Sequence, residues 1–246
     1  MNRRMKLSKR LEAVCSMVPE GTAAVDVGCD HAYVPVRLVE SGISPCAVAS
    51  DIRPSPLHAA EEHILERGLS GKIRAAIADG VPLQLSGLLE EAGWHPEIPL
   101  TLITAGMGGL LMLDIISSAA ERQRNGEIPP LKWYVASPQK DVPLFRRGLA
   151  EKGYQIVSET MVEEAGKYYP IILSELRGKD CAVLSDKEAL LGPVLMRERP
   201  AAFLSWVRYR LRILRKVSAE LPSAETERRE QLLYEISVCE TVVKEP

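Results

Sequence analysis

The chain has 246 residues, 46% hydrophobic and 26% charged, with a formal net charge of -2. That length buries roughly 70–75% of the unfolded surface, enough for one good core and an appendage. The charge gives no global sign of a polyanion binder and leaves only a local basic face open. Five scattered cysteines without a C-x-x-C pair argue against a disulfide framework and a zinc site, and for a reducing compartment.

Met1 to Arg10 is basic, but no apolar run of leader or membrane-spanning length follows it or appears elsewhere, so a cytoplasmic location is expected. Leu7, Leu11, Val14 and Val18 share one face of a helix predicted over Lys6 to Met17, ended by Pro19-Glu20-Gly21. Its other face carries Lys6, Lys9 and Arg10, either as a solvated rim or as a contact for phosphates.

Ala23 to Val27 is short and apolar, as a buried parallel strand requires, and runs through Gly28 into a turn. Pro35 then suits the first turn of a helix reaching Glu40. A strand passing through glycine into a helix aims free N–H groups at a ligand. The dinucleotide fingerprint is not met, because Asp30 stands near its second glycine position and would repel a pyrophosphate. The loop therefore suits a cofactor without phosphates, with S-adenosylmethionine the leading candidate; an ordinary strand–turn–helix is the plainer reading.

Cys46 to Ile52 reads as a second buried strand, ending in Asp51 roughly 20 residues past Gly28, where an acidic side chain takes ribose hydroxyls. Asp51 also suits an N-cap for the helix that begins near Pro54 and closes at Gly68. Ile73 to Ala78 is a third strand ending in Asp79-Gly80, either an adenine contact or a simple turn. In an open parallel sheet Gly28, Asp51 and Asp79 should converge, since all three follow strands running one way.

Leu100 to Ala105 is a fourth strand, followed by Gly106-Met107-Gly108-Gly109. Three glycines in four positions demand a close backbone approach or positive φ. A helix over Leu110 to Ser118, a polar loop over Glu121 to Pro130, a strand over Trp133 to Ala136 and a helix over Val142 to Glu151 follow. Tyr154 to Val162 and Tyr168 to Leu176 read as an antiparallel pair joined by residues 163–167.

From Asp186 onward no strand signal remains. Pro200 opens a long helix with Phe203, Trp206, Val207, Leu211 and Leu214 on one face; Pro222 interrupts, and Leu232, Leu233, Ile236 and Val243 mark a second. The expected fold is α/β and Rossmann-like, a mostly parallel seven-stranded sheet with helices on both faces over residues 1–178, and a helical hairpin over residues 179–246. That strand count is the one of a class I methyltransferase.

Leu7-Ser8-Lys9-Arg10-Leu11, Asp26 through Pro35, Ala105 through Gly109 and the Gly166-Lys167-Tyr168-Tyr169 turn resemble the bacterial tRNA (adenine-22-N1)-methyltransferase family. The resemblance spans the N-terminal domain. It implies S-adenosylmethionine as donor and tRNA as acceptor; displacement at a sulfonium needs no metal, and neither a membrane nor an obligate protein partner is expected. It further implies that Asp26, Gly28, Asp30, His31 and Tyr33 line the methionine end of the cofactor, that Asp51 takes the ribose, and that Asp79 with Gly80 takes the adenine. By the same resemblance Gly106, Met107 and Gly108 would border the transfer site; on chemical grounds Asp30 is expected to accept from the target's exocyclic amine or stabilise its developing charge, and Tyr169 or Tyr33 to stack on the target. Lys9, Arg10, Gln139, Lys140, Arg208, Arg212 and Arg215 would meet the tRNA. Two departures stand out: Ser137-Pro138-Gln139 where members carry Gln-Pro-Asn, and Asp79 where Asn is common. Three rival readings are a nicotinamide-dependent oxidoreductase, a methyltransferase on another RNA or small molecule, and a non-catalytic RNA-binding protein with a retained pocket.

Overall fold

The computed structural model describes residues 6–221 and 225–244. The interruption expected at Pro222 and the first five residues of the basic N-terminal run lie outside them.

One sheet of seven strands organises the chain: β1 (Ala23–Val27), β2 (Ala47–Asp51), β3 (Ile73–Ile77), β4 (Leu100–Ala105), β5 (Trp133–Ser137), β6 (Tyr154–Glu164) and β7 (Lys167–Leu176). Their spatial order is β3-β2-β1-β4-β5-β7-β6. The first five are parallel, while β7 lies antiparallel between β5 and β6. Every residue of β1 and β2 is buried, which is why their apolar residues run on without the alternation of a half-exposed strand, Asp26 in β1 and Ser50 and Asp51 at the end of β2 being the polar exceptions. The order reverses between β1 and β4, the switch point where open α/β sheets take their ligands.

Helices cover both faces. On one face α1 (Lys9–Ser16), α2 (Tyr33–Glu40) and α3 (Pro54–Glu66) pack Val14, Val36, Leu38, Ala60 and Ile64 against the sheet. On the other, α4 (Leu85–Glu91), α5 (Gly109–Arg124) and α6 (Val142–Glu151) bring Leu85, Leu89, Met112, Ile116, Phe145 and Leu149. Each large apolar side chain among them contributes about 1.5–3 kcal/mol when fully buried. Ser8 caps α1 by accepting from the Leu11 N–H at 3.3 Å, so the helix starts later than its apolar spacing predicts.

Three differences from the sequence reading have physical causes. The turn between β6 and β7 is tighter than residues 163–167, with both strands reaching its edge. Helix α5 runs through Glu121 to Arg124, where polarity suggests loop, because those residues are strong helix formers whatever their polarity. Arg122 also anchors that end by donating to the carbonyls of Val81 and Pro82 at 2.7 and 2.9 Å. The short helix α4 escapes the sequence pattern because two buried leucines make too brief a period to register.

After a 3-10 turn (Gly178–Asp180) come α7 (Asp186–Leu191), α8 (Pro193–Glu198), α9 (Ala201–Glu220) and α10 (Thr226–Lys244). Phe203, Val207, Leu211 and Leu214 of α9 pack with Val238, Cys239 and Val242 of α10, and Met161 of β6 joins that cluster. A bulge between Ile156 and Ser158 rephases β6. Beyond it Ser158 faces α1, with Oγ 3.9 Å from Met17 Sδ, while Glu159 and Met161 face α6, α8 and α9.

Candidate active site

The loop after β1 takes its shape from the strand tips on either side. Gly28 has φ +75°, and its N–H and that of Cys29 donate to Ser50 O at 2.8 and 3.0 Å, tying the tip of β1 to that of β2. A Cβ on Gly28 would lie 2.8 Å from Met107 Cε, so this loop and the one after β4 meet there. Asp30 and Ala32 both take left-handed φ, +50° and +53°. Aspartate tolerates that region; alanine does so only at a cost of about 1–3 kcal/mol, which marks a turn imposed by its surroundings. Tyr33 opens α2 between His31 and His63, ring centroids 5.3 Å from each, and His63 Nδ1 sits 2.9 Å from His31 O. His31 thus organises the loop and does not line the cleft beside it.

That cleft, of about 260 Å³, lies at the β1/β4 switch point. Asp26, Gly28, Asp30 and Tyr33 line one side, Gly106 and Gln139 the other, and Arg10 and Leu11 of α1 close it. Asp26 is 4% exposed, and burial, aided by the charge of Asp51, pushes its carboxyl up to about 7. Arg10 crosses the opposite wall with its guanidinium carbon 5.5 Å from the Tyr169 ring centre, and its Nη1 is sealed from solvent with no hydrogen-bond partner. A buried carboxyl and an unsatisfied buried guanidinium donor in one cleft suit an α-amino acid group, whose ammonium would let Asp26 ionise and whose carboxylate would satisfy Arg10. The donor set therefore fits the methionine end of a sulfonium cofactor.

The other candidate residues fall around this cleft. Asp51 is 5% exposed and accepts from the Arg53 N–H at 2.9 Å. Ala78 N donates to Asp51 O at 3.1 Å and Ser50 Oγ to Gly80 O at 3.0 Å, so the tips carrying Gly28, Asp51 and Asp79 are stitched together along one edge of the sheet. Asp79 is exposed there, close along the chain to Ile77 and beside the β2 tip that carries Ile52; the two isoleucines leave 61% and 59% of their surface open. Met107, Gly108 and Gly109 form the turn into α5, where Gln139 N donates to Met107 O at 3.0 Å. Lys9 and Lys140 are exposed outside the cleft, as are Arg208 and Arg212 on α9; Arg215 pairs with Glu240 at 2.7 Å. Leu11 and Cys29 line the cleft although the sequence does not single them out.

A parallel sheet with its crevice at the β1/β4 switch point, a non-pyrophosphate glycine turn and an antiparallel seventh strand beside the fifth define a Rossmann-like methyltransferase. The chain belongs to the methyltransferase domain family, whose model matches residues 7–172. It is 27% identical to the tRNA (adenine(22)-N(1))-methyltransferase of Bacillus subtilis over 245 residues, 98% of this chain and 97% of that one. The crystal structure of Streptococcus pneumoniae Sp1610 in complex with S-adenosyl-L-methionine is 29% identical, covers 97% of this chain and 100% of its own, and superposes with a TM-score of 0.78. The Bacillus subtilis TrmK structure, 24% identical over 98% of this chain and all of its own, shares the fold with a TM-score of 0.79. Among the described residues no helix is long and apolar enough to cross a membrane.

Proposed function

We propose that this chain transfers a methyl group from S-adenosylmethionine to N1 of adenine 22 in tRNA, in the cytoplasm and without an obligate protein partner. The observation that carries the reading is the pairing of buried Asp26 with the unsatisfied Arg10 guanidinium in one switch-point cleft. Full-length similarity to the Bacillus subtilis enzyme supports the acceptor.

S-adenosylmethionine supplies an electrophilic methyl on a sulfonium, and neutral adenine N1 already offers a lone pair, so the protein's work is positioning and charge stabilisation. Gly28, Asp26, Asp30, Tyr33 and Gly106 hold the amino-acid end, with His31 bracing the loop. Arg10, expected at the tRNA, would instead take the carboxylate; its place in the cleft lining and its unsatisfied Nη1 support this. Asp51 would accept from the ribose hydroxyls, and Asp79 and Gly80 would meet the adenine edge. Asp30 accepts from the exocyclic amine of the extruded target base and offsets the positive charge that develops on its ring. Gly106, Met107 and Gly108 border the transfer point, and Tyr169 stacks on the target with Arg10 behind it. Gln139 lies between cofactor and target, while Lys9, Lys140, Arg208, Arg212 and Arg215 take phosphates.

Incubation with an unmodified tRNA transcript and labelled methyl donor, followed by nucleoside mass spectrometry, should give N1-methyladenosine. A transcript carrying guanosine at position 22 should give none. Label on any other nucleoside, or none on tRNA, would overturn the reading. Asp51→Ala should weaken S-adenosylhomocysteine about ten- to hundredfold in calorimetry, the worth of charge-assisted hydrogen bonds; unchanged affinity removes Asp51 from the ribose.

A further inference from the structure

Past Gln139 the transfer cleft opens into a second hollow of about 370 Å³, between the loop after β5, the β6–β7 turn and α9. Lys140, Lys167, Tyr168, Tyr169, Trp206 and Tyr209 line it, and Gln139 lines both. An adjoining hollow of about 290 Å³ shares Tyr168 and Trp206 and adds Arg210. The chain has only three tryptophans and seven tyrosines. One tryptophan and three tyrosines meet here, outside the main core, and Tyr209 leaves 43% of its surface in solvent. Tyr168 and Tyr209 stand 5.8 Å apart between ring centroids and are tilted by 38°, two aromatic faces from different parts of the chain at the mouth of one cavity.

The charges around the hollow have a direction. Lys140 and Lys167 line it, and Arg212 is close enough to act on the Tyr168 hydroxyl, while Glu163 at the same hydroxyl and Asp141 in the adjoining hollow are the acidic neighbours. Aromatic faces interleaved with cations suit unpaired nucleotides, which stack their bases and present phosphates to the rim. A folded protein's apolar anchor would instead want a hydrophobic floor. Neighbouring residues on a strand point to opposite sides, so Tyr169 turns towards Arg10 and the transfer cleft while Tyr168 turns towards α9.

We propose that this hollow is a stacking site for the nucleotide adjacent to the target, which loses its own stacking partner when the target base is extruded. The site rests on the reading of the chain as a tRNA methyltransferase and adds a function for α9: its Trp206 and Tyr209 complete a channel that continues from the cleft. Tyr168 and Tyr209 hold the flanking base, Trp206 walls it in, and Lys140 and Lys167 meet its phosphates.

The test places 2-aminopurine on either side of position 22 in an unmodified tRNA transcript and compares wild type with Tyr209→Ala and Tyr209→Phe, neither of which touches the transfer cleft. In the wild type, one of the two probes should stay quenched on binding. Tyr209→Ala should brighten that probe and weaken tRNA binding about tenfold, with the salt dependence and S-adenosylhomocysteine affinity unchanged. Tyr209→Phe should behave as wild type, because the ring and not the hydroxyl stacks. Unchanged probe and affinity in Tyr209→Ala would overturn the site, as would an affinity loss accompanied by a flatter salt dependence. If wild-type protein fails to methylate position 22 yet Tyr209→Ala still weakens RNA binding, the hollow stands and the acceptor assignment falls. If the wild type binds no RNA, both fall.

Discussion

Asp26 is a carboxyl placed inside a strand, and its surroundings set its chemistry. Burial and the charge of Asp51 push it from the ordinary 3.8 up to about 7. Between those values the folded, ligand-free protein holds a proton that the unfolded chain has released, so this group's contribution to stability falls as pH rises across the window and is greatest below it. Thermal unfolding of the ligand-free protein should therefore show a melting temperature that declines from about pH 4 towards pH 7, and Asp26→Asn should flatten the decline. A wild-type slope no different from the variant's would remove Asp26 as the cause. Residues of this kind are partly legible in the sequence. Gly28, Asp51 and Asp79 announce themselves as strand-tip residues, because strand periods and turn residues are local. Arg10 does not, since its entry into the cleft depends on α1 lying across β6 and β7, an approach between segments more than half the chain apart. The backbone N–H of Lys9 reaches Glu164 Oε1 at 2.6 Å in that same approach.

At the scale of elements, the glycines between β4 and α5 divide their labour. Gly106 takes φ +91°, and Gly109 lets the Lys140 carbonyl and the Phe145 side chain come within 2.9 Å of where a Cβ would stand. The run of glycines foretells both demands without saying which residue meets which. The β6 bulge leaves no trace in the sequence, yet it decides what Glu159 meets. Glu159 Oε1 receives Arg146 Nε at 2.8 Å, while Oε2 accepts from the N–H groups of Val194 and Leu195 at the start of α8 at 2.9 and 3.4 Å. Arg146 Nη1 donates to the carbonyls of Ala189 and Leu190 on α7 at 3.1 and 3.2 Å. This buried pair clasps two short helices that periodicity alone does not reveal. Truncating one partner strands the other, at a cost of about 3–5 kcal/mol. Arg146→Ala should show that loss in urea unfolding, and the double replacement Arg146→Met with Glu159→Leu should recover a large part of it. A double variant no more stable than the single would mean that the clasp itself, and not the stranded charge, carries the energy.

For the molecule as a whole, a net charge of -2 hides a local concentration of cations. Arg208 and Arg212 stand exposed on α9, whereas Arg210 and Arg215 are bound to Glu235 and Glu240. Replacing Arg208 and Arg212 together by alanine should lower the slope of log affinity against log salt by about 1–2 for tRNA, roughly 0.7–0.9 for each phosphate no longer neutralised. An unchanged slope would make them merely solvated. The sheet and the two long helices are readable from periodicity, but which side of the sheet each helix covers is not. That choice has a further consequence at β6. Its two faces are claimed by opposite ends of the polypeptide, α1 through Met17 and α8–α9 through Met161, and it is also the last strand of the sheet. A chain still emerging from the ribosome has made β6 but not its second cover, and would expose a half-dressed border strand able to recruit copies of itself. A chain cut off after β7 should carry the same flaw permanently and aggregate, so α8 and α9 shield the face of β6 that Met161 presents.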